Sequence, residues 1–240
     1  MVVTGDFHTH SKFSRLGHGK DTIENMVKYA ESKGLKSLAI TDHGPKHILF
    51  PISKKNLKKA RSIVDEINKK SKIKVYLGVE ANLIKADGTI DLTTEEIEML
   101  DVLLVGYHMA TFVDFVGFVD KNNNSTEQVK KNTQAYINML NKYNVNIITH
   151  IQEHIKVDLK PIAELCAKKG TLIEINNKHL RLNAEDAKIL IDSGCKMIVN
   201  SDAHNKERIG IVDNALEFIK ENKIPLDRVV NINKEYIPKR

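Results

Sequence analysis

The chain has two cysteines among 240 residues, and neither has a partner at disulfide or metal-ligand spacing. Cys166 falls inside a helical pattern and Cys195 follows a helix end, so both read as reduced structural thiols. That excludes a disulfide-framed scaffold and a thiolate zinc site, and it is the usage expected of a cytoplasmic protein. No apolar run approaches the ~18 residues needed to span a bilayer. The opening MVVTGDF enters strand-like sequence at once, which leaves no room for a signal peptide. Low-complexity linkers and internal repeats are also absent. One domain over 1–240 is the economical reading, long enough to bury a sizeable core.

Charge is present in both signs, with a net +6 and an isoelectric point near 9.1. A basic balance raises the question of a polyanionic partner. Here the lysines are scattered through helical segments such as KKNLKKARSIVDEINKKSK, mixed with acids. That is the pattern of a solvated helix face. Small anionic substrates, phosphate esters first among them, fit this balance better than nucleic acid, and no membrane partner is expected.

Apolar and amphipathic runs alternate along the whole chain. The spacing predicts strands near 2–7, 37–41, 74–79, 102–106, 146–149, 171–175 and 196–200. It predicts helices near 22–33, 54–70, 93–99, 125–142, 158–169, 184–193 and 213–222. Asp21 with Glu24, and Thr93 with Glu96, have capping-box spacing. Gly34, Gly170 and Gly194 stand where left-handed residues end helices, and Pro161 falls in a first helical turn. Alternating strands and helices imply right-handed βαβ units and a parallel sheet.

Ligand-type residues follow six of the seven strands. His8 and His10 follow the first, Asp42 and His43 the second, Glu80 the third and His108 the fourth. His150 follows the fifth, and Asp202 with His204 the last. Seven such units suit a closed α/β barrel, which alone gathers all these strand ends on one C-terminal rim. An open sheet binds at one switch point and leaves the first and last sets far apart. His8 and His10 are two apart, so on a strand both imidazoles face one ion. Glu80 has two oxygens with which to bridge two ions. His108 and His150 suit a second ion, and His18, His43 and His204 a third. Imidazoles with carboxylates are a ligand set for two to three divalent transition ions, Zn²⁺, Mn²⁺ or Fe²⁺. Arg15 and Lys12 lie in the first loop, where an arginine fork suits a phosphate dianion. Glu174 and Asn176 alternate inward on the sixth strand. His47, His154 and His179 lack strand-end placement and are read as non-ligands.

The stretches DFHTHSKFS, GHGK, AITDHG, GVEANL, VGYH, ITH and NSDAH, in order from Asp6 to about Gly210, resemble the PHP family, named for its polymerase and histidinol phosphatase members. ITDHGP, GVEANL with IKADGTID, and LIEINN are similar to its compact stand-alone bacterial phosphatases. The resemblance implies a distorted (β/α)7 barrel with a trinuclear metal centre. It makes His8, His10, His18, His43, Glu80, His108, His150, Asp202 and His204 the ligands, with Asp202 sharing an ion with His8, His10 and Glu80. Two features depart from the pattern. Seven residues separate His10 from His18, more than in some relatives, and Ile151 follows His150 where the subgroup often has proline.

The expected activity is hydrolysis of a small phosphomonoester by a metal-activated water, with Glu80, Asp202 and Arg15 as the catalytic candidates. No cysteine, serine or aspartate is placed for covalent catalysis. The alternatives are a phosphodiesterase or nuclease acting on DNA ends, and a histidinol-phosphate phosphatase. A regulatory module with decayed catalysis would be expected to have lost ligands. A deaminase of the amidohydrolase type would carry a different histidine order.

Overall fold

Seven apolar runs form seven parallel strands in the order β1 to β7, each hydrogen-bonded to its chain neighbour. The computed structural model describes residues 1–109 and 125–239. The strands are β1 (Gly5–Asp6), β2 (Ser37–Ile40), β3 (Lys74–Asn82), β4 (Val102–Gly106), β5 (Ile147–Ile148), β6 (Leu172–Asn176) and β7 (Met197–Asn200). The helices are α1 (Ile23–Ser32), α2 (Lys54–Asn68), α3 (Thr94–Glu98), α4 (Thr126–Lys142), α5 (Leu159–Lys169), α6 (Ala184–Asp192) and α7 (Asp213–Glu221). The strands make a nearly closed barrel with the helices flanking it.

Local chemistry accounts for most helix ends. Thr93 and Glu96 form the expected reciprocal cap of α3. Asp158 caps α5, with Pro161 in its first turn, and Gly170 ends that helix in the left-handed region at φ 77°. The cap of α1 differs from expectation. Thr22, not Asp21, receives the first free amide, from Asn25. Asp21 is engaged elsewhere: its carboxylate accepts from the Lys206 amide at 2.8 Å. In α2, Leu57, Ala60 and Val64 are buried while its lysines stay exposed, so this basic segment is a solvated helix face.

Strand alternation divides the barrel into layers. Outward residues such as Val75, Leu77, Val79, Leu103, Val105, Ile173 and Ile175 join the large core beneath the helices. Inward residues Phe7, Ala39, Tyr76, Val102, Leu104, Ile147, Leu172 and Ile198 form a second, separate core inside the barrel. Further along several strands the inward positions turn polar: Tyr76 leads to Glu80 through Gly78, Leu172 to Glu174 and Asn176, and Ile198 to Asn200 and Asp202. The apolar plug thus fills the N-terminal half and leaves a polar C-terminal rim.

The seam between β1 and β7 is closed by side chains more than by a ladder. Thr9 bridges Ala203 in parallel, and the Phe7 amide donates to Asn200 Oδ1 at 2.8 Å. Asn231, fully buried, donates to Gly5 O at 2.9 Å and to Val199 O at 2.6 Å, and accepts from the Val199 amide at 3.1 Å. Val3 pairs antiparallel with Ile232. Residues 2–4 therefore serve the C-terminal segment, which is why β1 is shorter than the predicted 2–7. Asn231→Ala leaves two carbonyls and an amide unpartnered in a dry seam. It should destabilise the fold by about 2–4 kcal/mol, read as a lower urea midpoint at unchanged m-value; a midpoint equal to wild type would contradict this account of the seam.

Candidate metal centre

Glu80 lies on the inward row of β3, one inward place before Asn82, with its side chain 1% exposed. Its Oε1 lies 2.7 Å from His150 Nε2, 3.2 Å from His108 Nε2 and 3.2 Å from His8 Nε2. Its Oε2 lies 2.8 Å from His43 Nδ1 and 3.6 Å from His10 Nε2. Asp202 Oδ1 stands 3.4 Å from His10 Nε2 and 3.8 Å from His8 Nε2. Two donor atoms each about 2.0–2.1 Å from one tetrahedral ion stand about 3.3 Å from each other, the middle of these separations.

A second knot lies beside the first. His18 Nε2 is 3.1 Å from His43 Nε2 and 2.6 Å from His204 Nε2. His204 donates its Nδ1 proton to the Asp202 carbonyl at 2.8 Å, so its Nε2 presents a lone pair. Two facing ring nitrogens need a proton or a cation between them. Among the described residues, three overlapping groups have donor atoms within 4.8 Å of one another: His10, His18, His43 and His204; His8, His10 and Asp202; and His43, Glu80 and His108. Five buried atoms here lack an aligned hydrogen bond: His8 Nε2, both ring nitrogens of His10, His43 Nδ1 and Glu80 Oε2. The pair His43 Nδ1 and Glu80 Oε2 is close but out of line. Buried polar atoms are normally satisfied, so this donor set fits divalent cations.

The electrostatics agree. Burial alone would raise Glu80, but His8, His108 and His43 hold it well below the usual carboxylate range. Burial likewise opposes at Asp202, where His8, His10 and Lys178 together outweigh it and hold the carboxyl well below its ordinary value. Burial pushes His18 and His204 down to about 3 and His43 well below its ordinary value. These imidazoles are neutral near pH 7, the form that ligates.

Behind the cluster, further residues aim the rings. Glu174 Oε1 accepts from His8 Nδ1 at 2.8 Å, which turns His8 Nε2 to the centre. Asn82 Oδ1 does the same for His108 through its Nδ1 at 2.7 Å, and Asn82 itself donates to Asp91 at 2.5 Å. Asp42 accepts from the amide and hydroxyl of Ser11 and the hydroxyl of Ser14, tying down the loop that leads to His18. Asp6 fixes the other side, accepting from Ser201 and the Gly210 amide. His150 and Asp202 have positive φ, 28° and 55°; these turns bring both side chains back inward after their strands end. Gly106 makes room, since a Cβ there would stand 2.6 Å from Thr149 Cγ2 and 3.0 Å from the His150 ring.

A model of the PHP domain family matches residues 6–185. The chain belongs to the PHP family. It is 30% identical over 243 residues to a Shigella flexneri protein called probable phosphatase YcdX, covering 95% of this chain and 89% of the relative. A probable phosphatase of Shewanella loihica is 30% identical over 245 residues, covering 96% and 90%. Among solved structures, the histidinol phosphate phosphatase of Lactococcus lactis, complexed with Zn, L-histidinol and phosphate, superposes with a TM-score of 0.61 over 92% of this chain and 94% of that one. At 16% identity that likeness shows the fold, a PHP (β/α)7 barrel.

In this PHP barrel all nine expected ligand residues converge on one rim. Arg15 does not join them: it is exposed on the short turn Arg15–Gly17 and does not line the cavity above the cluster. Lys178 lines it instead, as do three histidines read from sequence as non-ligands. His47 stacks on His43 with ring centroids 4.3 Å apart, His154 lies 6.0 Å from His150, and His179 Nε2 lies 3.7 Å from Asp202 Oδ2. None of the three falls in the close donor groups. Their signal in the sequence was spacing: His47 and His154 each follow a site histidine by four residues. Glu174→Gln keeps the shape of the His8 partner and removes its charge. It should weaken divalent-ion affinity by about 10–100-fold, measured by competition with a fluorescent chelator; wild-type affinity would show that Glu174 does not set His8.

Proposed function

We propose that this PHP domain is a metal-dependent phosphoesterase that hydrolyses small phosphate monoesters at a centre of two to three divalent ions. The observation that carries this reading is the set of five buried polar atoms without aligned partners on His8, His10, His43 and Glu80, the last two of which line the cavity. The relatives called probable phosphatases support it. His8, His10, Glu80 and Asp202 would hold one ion; Glu80, His108 and His150 a second; His18, His43 and His204 a third. Zn²⁺, Mn²⁺ and Fe²⁺ all accept imidazole and carboxylate donors. Such ions neutralise phosphate charge and acidify water enough to supply a nucleophile near neutral pH.

The protein's own part is arrangement. Glu80 and Asp202 concentrate two negative charges at the base of the cavity, and the imidazoles around them are held in fixed tautomers by Glu174, Asn82 and the Asp202 carbonyl. The described residues enclose about 150 Å³ above the cluster, below the ~300–1,000 Å³ of common ligand sites. Phe50, stacked on His18 at 3.9 Å, walls one side. A terminal phosphate enters such a space end-on. An internal diester must thread a chain past both walls. Among the described residues no serine or cysteine lines the cavity, so direct attack by water is the economical route.

Protein purified without chelator should contain two to three transition ions by mass spectrometry, and a fully loaded protein holding at most one would overturn the multinuclear centre. Glu80→Gln and Asp202→Asn should each cut turnover by more than about 100-fold, or ~2.7 kcal/mol, while the far-ultraviolet spectrum is kept. Near wild-type turnover in either variant would remove that residue from the site. The reaction class is tested by comparing kcat/KM for p-nitrophenyl phosphate with that for bis-p-nitrophenyl phosphate and single-stranded DNA on one Mn²⁺- or Zn²⁺-loaded preparation. We expect the monoester to lead; a tenfold preference for either diester would make the chain a phosphodiesterase or nuclease.

A further inference from the structure

The loop leaving β6 carries the one lysine or arginine side chain among the described residues lining the cavity. Asn176 shapes that loop. Its Oδ1 accepts from the amides of Lys178 at 2.9 Å and His179 at 2.8 Å. Its Nδ2 donates to Glu174 at 2.9 Å. This turn folds the chain back over the centre before α6 begins. His179 is braced there by Glu153, 3.1 Å from its Nδ1, and Glu153 is in turn held by Arg181. The loop therefore presents Lys178 from a supported position.

Among the described residues, Lys178 Nζ has hydrogen-bond-length contacts to His204 alone, and these are poorly directed. Its Nζ is 3.9 Å from Asp202 Oδ1, beyond hydrogen-bond length. It stands 3.2 Å from His204 Nδ1 and 3.4 Å from His204 Nε2. Near-equal approach to both ring nitrogens puts the ammonium beside the ring, not along either lone pair. The Nδ1 lone pair is absent in any case, because that nitrogen donates to the Asp202 carbonyl. The side chain lines the cavity and is 41% exposed, and an ammonium carries three donors, so donors remain beyond the His204 contacts. A compact ammonium on a flexible stem is a common phosphate ligand.

We propose that Lys178 binds the phosphoryl oxygens of the substrate, the role that the sequence reading gave to Arg15. This rests on the phosphoesterase reading for its substrate, but its first test does not need turnover. The rival role is a purely structural ion pair with Asp202, which would act through the metal centre. The experiment uses the full chain loaded with Mn²⁺ or Zn²⁺, as wild type, Lys178→Gln and Lys178→Arg. Metal content is measured first, then inorganic phosphate affinity by titration calorimetry, then kcat/KM for p-nitrophenyl phosphate. We expect Lys178→Gln to keep its metal content, to bind phosphate at least tenfold more weakly (~1.4 kcal/mol), to lose much of the salt dependence of that binding, and to lose kcat/KM in proportion. Lys178→Arg should recover most of the affinity, since it restores the charge. Phosphate affinity within twofold of wild type in Lys178→Gln overturns the proposal, as does loss of metal from that variant or a loaded wild type that binds no phosphate. Lys178-dependent phosphate binding without hydrolysis of any monoester would keep the proposal and defeat the phosphatase reading.

Discussion

Glu174 is the carboxylate on which the rim of this barrel depends. It is buried midway along β6 and gathers donors from several strands. Oε1 takes His8 Nδ1 after β1 and Asn200 Nδ2 on β7. Oε2 takes the Thr149 hydroxyl and the His150 amide after β5, and Asn176 on its own strand. Burial would raise this carboxyl, but His8 and the other donors hold it down to about 2. The charge persists because the surrounding groups replace water as its solvent. Two site imidazoles, His8 and His150, take their place from this one group, and the β6 loop takes its course from Asn176 beside it.

Closure of the barrel follows from the same region. Asn200 donates to Glu174 with its nitrogen and accepts the Phe7 amide with its oxygen, linking the rim to the β1–β7 seam. Asn231 repeats the device one layer lower. An amide side chain offers a donor and an acceptor on one rigid plane, which suits a seam where two strands approach without a full ladder. Above the apolar plug of Phe7, Leu104 and Ile198, these polar residues occupy a layer that would otherwise be a void or a greasy core. The interior is thus graded from apolar to charged along its axis, and the candidate metal ligands lie where the grading ends.

Much of this was legible in the chain itself. Apolar runs of strand length, separated by amphipathic helices, are a local signal that survives folding because burial demands it. Ligand-type residues at the ends of those runs marked the rim, and all nine meet there. The bounds of β1 were not legible, because residues 2–4 pair with a segment more than 220 positions away. Asp21 had the spacing of a helix cap, but a distant amide from Lys206 claimed its carboxylate. Arg15 had the right chemistry and the right loop, yet the turn at Leu16, with φ 56°, leaves it facing solvent.

Local patterning by itself determined that this chain would make a parallel α/β barrel with imidazoles and carboxylates on one rim. The reason is that strand periodicity and hydrophobic burial act over a few residues and are written in sequence. Which nitrogen of each ring turns inward was decided only by the tertiary structure, and so was the choice of Lys178 over Arg15 at the cavity. So was the use of Glu174 as the anchor for two rings. These depend on hydrogen bonds between strands far apart in the chain and on backbone turns at His150, Asn176 and Asp202. Their geometry exists only once the barrel has closed.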